Sequence, residues 1–78
     1  MPRRKSEAHG AAEQKIEQAL TDGATKLDLS GMALTEVPET LTQLANLQTL
    51  NLSINQLTAL PKTLGQLRKL RKLYLQDN

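Results

Sequence analysis

Leu47-Gln48-Thr49-Leu50-Asn51-Leu52-Ser53-Ile54-Asn55-Gln56-Leu57-Thr58-Ala59-Leu60-Pro61-Lys62-Thr63-Leu64-Gly65-Gln66-Leu67 decides the fold. Its frame of apolar positions starts again 23 residues later as Leu70, Leu73 and Leu75, with Asn78 at the place of Asn55. Laid back by one period, the same frame falls on Ala24, Leu27, Leu29, Met32, Leu34, Val37, Pro38, Leu41 and Leu44. A fixed period of this size signals stacked coils rather than an ordinary globule, because one coil cannot bury its apolar side alone.

Within each coil the frame also predicts local structure. Leu27-x-Leu29, Leu50-x-Leu52 and Leu73-x-Leu75 put two leucines on one side of a short strand, since side chains alternate along a strand. Successive copies then lie side by side in a parallel sheet. Each coil turns after Met32, Asn55 or Asn78 and returns through Val37-Pro38 or Leu60-Pro61. Residues 39–44 and 62–67 follow a proline, which is well tolerated where a helical turn begins; a short helix or 3₁₀ turn is expected in each. Asn55 has two amide donors and one acceptor, so it can bond backbone groups inside the tight turn. Left unpaired in a stack, those groups would cost about 1–3 kcal/mol each. Met32 cannot do the same, which predicts an irregular first coil.

Upstream the period changes. Residues 1–6 read as a basic, disordered tail. Residues 7–23 read as a helix whose apolar stripe is Ala12, Ile16, Ala19 and Leu20, at helical spacing. Ser6 is the N-cap candidate, and Gly10 weakens the first turn enough to favour a start nearer Ala11. Gly23 suits a left-handed residue just past the helix end.

The chain has 78 residues, no cysteine and Tyr74 as its one aromatic residue. Its core must therefore be aliphatic, and its sixteen leucines can supply it. Disulfides and thiolate metal sites are excluded. Net charge is +2 but unevenly spread. Residues 1–40 carry five Lys/Arg and seven Asp/Glu, net −2; residues 41–78 carry five Lys/Arg and only Asp77, net +4. No stretch is apolar for long enough to span a membrane. Arg3-Arg4-Lys5 is followed by no apolar run, unlike a secretory signal. A cytoplasmic location is expected.

The motif LxxLxLxxNxLxxLPxxLxxLxx, met over residues 47–69, partly over 24–46 and begun again over 70–78, resembles the leucine-rich repeat. Residues 16–31 (Ile16-Glu17-Gln18-Ala19-Leu20-Thr21-Asp22-Gly23-Ala24-Thr25-Lys26-Leu27-Asp28-Leu29-Ser30-Gly31) look like the helix and first repeat that open many bacterial leucine-rich repeat proteins, including those of the Roco GTPase class. The resemblance implies an α/β right-handed solenoid with a short parallel sheet, an N-terminal capping helix and a protein-binding role. The frame breaks off at Asn78, so an incomplete array, or self-association through an uncapped C-terminal end, is a further expectation.

With the leucines inward, their strand neighbours face outward on a concave surface. The columns are Lys26–Thr49–Lys72, Asp28–Asn51–Tyr74 and Ser30–Ser53–Gln76. Neighbouring parallel strands lie about 4.8 Å apart, so the nine residues form one compact polar patch. A protein or peptide partner is expected there, with Tyr74 as its best single anchor, since Tyr is enriched among binding hot spots. Arg68-Lys69-x-Arg71-Lys72 is the densest charge run and would suit an acidic partner or phosphate. Weak nucleic-acid binding through this basic half is one alternative; aromatic residues for stacking single strands are lacking, which argues against it. The other alternative is a sensing or scaffold segment of a larger multidomain enzyme such as a Roco-type GTPase.

Enzymatic readings find no foothold. His9 is the single histidine, and no His-x-x-x-His or Glu-x-x-His pair surrounds it. Gly10, Gly23, Gly31 and Gly65 have no phosphate-cradling spacing. Ser6, Ser30 and Ser53 have no histidine in the repeats to activate them. A non-catalytic module with no cofactor is expected.

Overall fold

The computed structural model describes residues 3–78, with side chains from Glu7 onward. A single helix, α1, spans Arg3–Asp22. The tail expected over residues 1–6 therefore needs correction from Arg3, while Met1 and Pro2 lie outside the described residues. Arg, Lys, Glu and Ala are strong helix formers, and a lone Gly10 costs only about 1 kcal/mol against Ala. Ser6 thus lies inside the helix, not at its start.

The buried face of α1 is Ala12, Ile16 and Ala19, with Ala8 packed beside them. Leu20, placed on that stripe by its spacing, is 45% exposed. Eight residues at 100° each put it about 80° round the helix from Ala12, at the edge of the stripe. The helix ends in a left-handed Gly23 at φ +62°. The Ala24 N–H donates to the Ala19 carbonyl at 2.9 Å and the Gly23 N–H to the Leu20 carbonyl at 3.3 Å. These two bonds are the Schellman pattern, which satisfies carbonyls that the helix end would leave open.

Three short strands follow: β1 (Lys26–Asp28), β2 (Thr49–Asn51) and β3 (Lys72–Tyr74). They form one parallel sheet in the order β1-β2-β3. The register pairs Lys26 with Thr49 and Thr49 with Lys72, then Leu27 with Leu50 and Leu73, then Asp28 with Asn51 and Tyr74. Each step is one repeat period, so the leucine frame and the ladder coincide. The return legs pass through 3₁₀ turns, Glu39–Gln43 after Pro38 and Lys62–Gln66 after Pro61.

Asn55 ties the first two coils together. Its Oδ1 accepts from the backbone N–H groups of Met32 and Leu34, both at 3.0 Å. Its Nδ2 donates to the carbonyls of Leu29 at 2.9 Å, Leu52 at 3.0 Å and Ser53 at 3.2 Å. Asn78 repeats the pattern one coil on, accepting from the Leu57 N–H and donating to the Leu52 carbonyl at 2.8 Å. The core is aliphatic: Ile16, Leu29, Leu34, Leu41, Leu47, Leu50 and Leu52 are fully buried. Burial fades along the stack. Leu29 and Leu52 are 0% exposed, but Leu75 in the same frame position is 39% exposed.

Candidate concave interaction face

The sheet register fixes the outward columns. Lys26, Thr49 and Lys72 lie in one row, and Asp28, Asn51 and Tyr74 in the next. Lys26, Asp28, Lys72, Tyr74 and Gln76 are exposed, while Thr49 and Asn51 on the central strand are half-buried. β2 is flanked on both sides, so its outward side chains lose more surface to their neighbours.

The third row departs from the expectation. Ser53 is buried, and its hydroxyl donates to Asn51 Oδ1 at 2.6 Å. Its N–H donates to the same oxygen at 3.0 Å. Ser30 does likewise toward Asp28 Oδ1, with its hydroxyl at 2.6 Å and its N–H at 2.9 Å. Both serines close the turn that leaves the strand, so Ser53 does not belong to a partner-facing surface and Ser30 is already engaged. Strand alternation placed them outward, but β1 and β2 end at Asp28 and Asn51, before the serines are reached.

Electrostatically the face is uneven. The Ser30 hydroxyl, then the Ser30 N–H, hold the Asp28 carboxyl below its ordinary pKa against desolvation, and the Lys15 charge adds the least. Lys15 reaches from α1, and its Nζ donates to the Asp28 carbonyl at 2.9 Å. Lys26, Arg71 and Lys72 are exposed at the edge where the strands begin. Lys69, beside them, donates to the neutral amide oxygen of Asn46 at 3.3 Å.

One exposed residue in the turn after β2 was not marked by the leucine frame. Ile54 is 60% exposed and sits at φ +58°. Gly31 and Asp77, one period before and after, share that left-handed conformation at φ +63° and +60°. A glycine in this frame position was the available signal. The Ile54 N–H donates to the Gln76 carbonyl at 2.8 Å, which ties it to the segment that follows β3.

On the other side of the molecule, a groove of about 630 Å³ runs between α1 and the first two coils. Glu13, Glu36 and Glu39 stand around an apolar floor of Val37, Leu60 and Pro61. His9 approaches Glu13 at 4.0 Å there. Among the described residues no three His, Cys, Asp or Glu side chains gather as a metal site would require. Nor is any helix among them long and apolar enough to cross a membrane.

The family model described as "Leucine rich repeat" matches residues 22–78. The chain belongs to the leucine-rich repeat family. A solved leucine-rich repeat protein of Leptospira interrogans is similar, at 32% sequence identity and a TM-score of 0.49. The similarity covers 80% of this chain and 22% of that one, so the chain spans about a fifth of that protein's length. No curated protein matches the chain. This repeat family is typically a non-catalytic interaction fold, and in general terms the chain is a protein-interaction module.

Proposed function

We propose that this leucine-rich repeat module binds a protein or peptide segment across the concave sheet, without catalysis of its own. Lys26, Asp28, Thr49, Asn51, Lys72 and Tyr74 make the contacts. The observation that supports this reading is the strand register, which lines these side chains up in adjacent rows beside an exposed tyrosine. Tyr74, 40% exposed on a short strand, offers a large, amphipathic surface at low conformational cost. The test is selection of displayed random dodecapeptides on the immobilised chain. Combined replacement of Asp28, Asn51 and Tyr74 by Ala should abolish capture of the selected peptides and leave the circular-dichroism spectrum unchanged. Capture that survives this triple replacement rejects the face.

A second reading draws on residues 16–31, whose resemblance extends to the opening of Roco-class proteins. There the module serves as the sensing or scaffold arm of a larger cytoplasmic enzyme, with the chemistry elsewhere. The reading frame beyond the codon for Asn78 decides it: a Walker-type GxxxxGK[ST] motif downstream supports it, and an immediate stop codon ends it.

A further inference from the structure

We infer that the partner is an acidic polypeptide segment with an apolar anchor, its carboxylates pairing with Lys26, Arg71 and Lys72 and its apolar side chain packing on Tyr74 and Ile54. This rests on the concave face being the binding surface, and it adds the chemistry of the occupant.

The cations come first. Lys26 and Lys72 occupy one row of the sheet, two strands apart, hence about 10 Å. An extended chain covers that distance in three residues, at about 3.3 Å each. Arg71 precedes Lys72, and its N–H donates to the Gln48 carbonyl at 2.8 Å, holding the edge in place. None of the three side chains is paired with a carboxylate among the described residues. Asp28, the acid on the face, forms no ion pair with them. Its oxygen is engaged by Ser30, and the charge it feels most is Lys15 on α1. The whole of residues 41–78 offers only Asp77 as an acid. A row of unpaired cations on a binding face attracts negative charge and sets the register of what binds.

Ile54 supplies the second, independent observation. A β-branched residue at a left-handed φ is strained, and its neighbours in the frame solve the same turn with Gly31 and Asp77. Ile54 also buries little in the core, being 60% exposed. The left-handed φ lowers stability, and strain of this kind kept at an exposed apolar residue points to a binding contact. Tyr74, 40% exposed on β3, adds apolar surface of its own.

A nucleic acid would also seek the cations, but the face offers it poor terms. Tyr74 is the sole aromatic for base stacking.

The peptide selection above tests the proposal. Recovered dodecapeptides should be rich in Asp and Glu and carry at least one large apolar residue. Their affinity, read by fluorescence anisotropy on a labelled synthetic copy, should fall steeply as salt is raised. The double variant Lys26→Glu/Lys72→Glu, changed only at exposed sites, should weaken that copy at least about tenfold. Ile54→Asn suits the left-handed backbone better, so it should weaken binding while the melting temperature holds or rises. Recovery of mainly neutral or basic peptides overturns the acidic chemistry. If those peptides still depend on Asp28, Asn51 and Tyr74, the concave-face reading survives that loss; if they do not, both fall, as they do if nothing is recovered. Tighter binding of labelled oligothymidylate than of any peptide, lost in the double variant, assigns the cations to nucleic acid and overturns the proposal. Unchanged affinity in Ile54→Asn removes the apolar anchor.

Discussion

Asp28 and Asn51 hold the same register position, and each directs Oδ1 at the hydroxyl and N–H of the serine two residues on. For Asp28 these donors favour the charged form, so its pKa lies below the 3.8 ordinary for an aspartate. A depressed carboxylate pKa adds stability that is complete above the unfolded value and lost as pH falls through the folded one. The window therefore lies below about pH 4. Ser30→Ala removes the larger of the two bonds, so the ¹³C-detected titration of Asp28 should move up toward the ordinary midpoint. An unmoved midpoint would show that the hydroxyl contributes nothing. Asn55 carries more. Asn55→Ala leaves the Met32 and Leu34 N–H groups and the Leu29 carbonyl without their partner. Each such group costs about 1–3 kcal/mol, so urea unfolding should show a loss of about 3 kcal/mol or more. Asn78→Ala should cost less, because Asn78 is exposed and water can replace the amide. The role of Asn55 was legible from the frame, because an amide at a tight turn has few other uses. The serines were not, because an alternation rule extends a strand past the point where the turn begins.

At the scale of elements, proline and glycine carried most of the legible information. Pro38 and Pro61 each precede a 3₁₀ turn where one was expected. Gly23 ends α1 in the left-handed region, and nothing lies within 4 Å of where a Cβ would stand. Gly23→Ala should therefore cost through backbone strain alone, about 1–2 kcal/mol by thermal denaturation. A loss near zero would mean that the helix end shifts to avoid the strained residue. The start of α1 was less legible. No strong signal separates Arg3 from Ala11, and helix ends are set by a balance of small propensities. Leu20 shows the same limit on the helix side: its spacing qualified it for the stripe, but α1 meets the first coil over a face too narrow to cover it.

For the molecule as a whole, position in the stack governs what each leucine contributes. Leu52 has a coil on either side and is fully buried, whereas Leu75 keeps 39% of its surface exposed. Leu52→Ala should cost about 2–5 kcal/mol by chemical denaturation, and Leu75→Ala distinctly less. Equal losses would show that burial in the stack does not set the energetics. Charge is also divided between sides, with Glu13, Glu36 and Glu39 around the outer groove and Lys26, Arg71 and Lys72 at the sheet edge. The amino-acid order alone determined the coil period, the strand register, the aliphatic core, the amide at the turn and the two rows of side chains that the register aligns. All of these follow from a repeat in which each position meets its own copy one period away. Only the tertiary structure decided how exposed each copy is, that Ser53 is buried with its hydroxyl on Asn51, and that Ile54 is exposed at a left-handed φ. Exposure and backbone strain depend on which coil covers which, and identical frame positions in Leu29, Leu52 and Leu75 carry no mark of that difference.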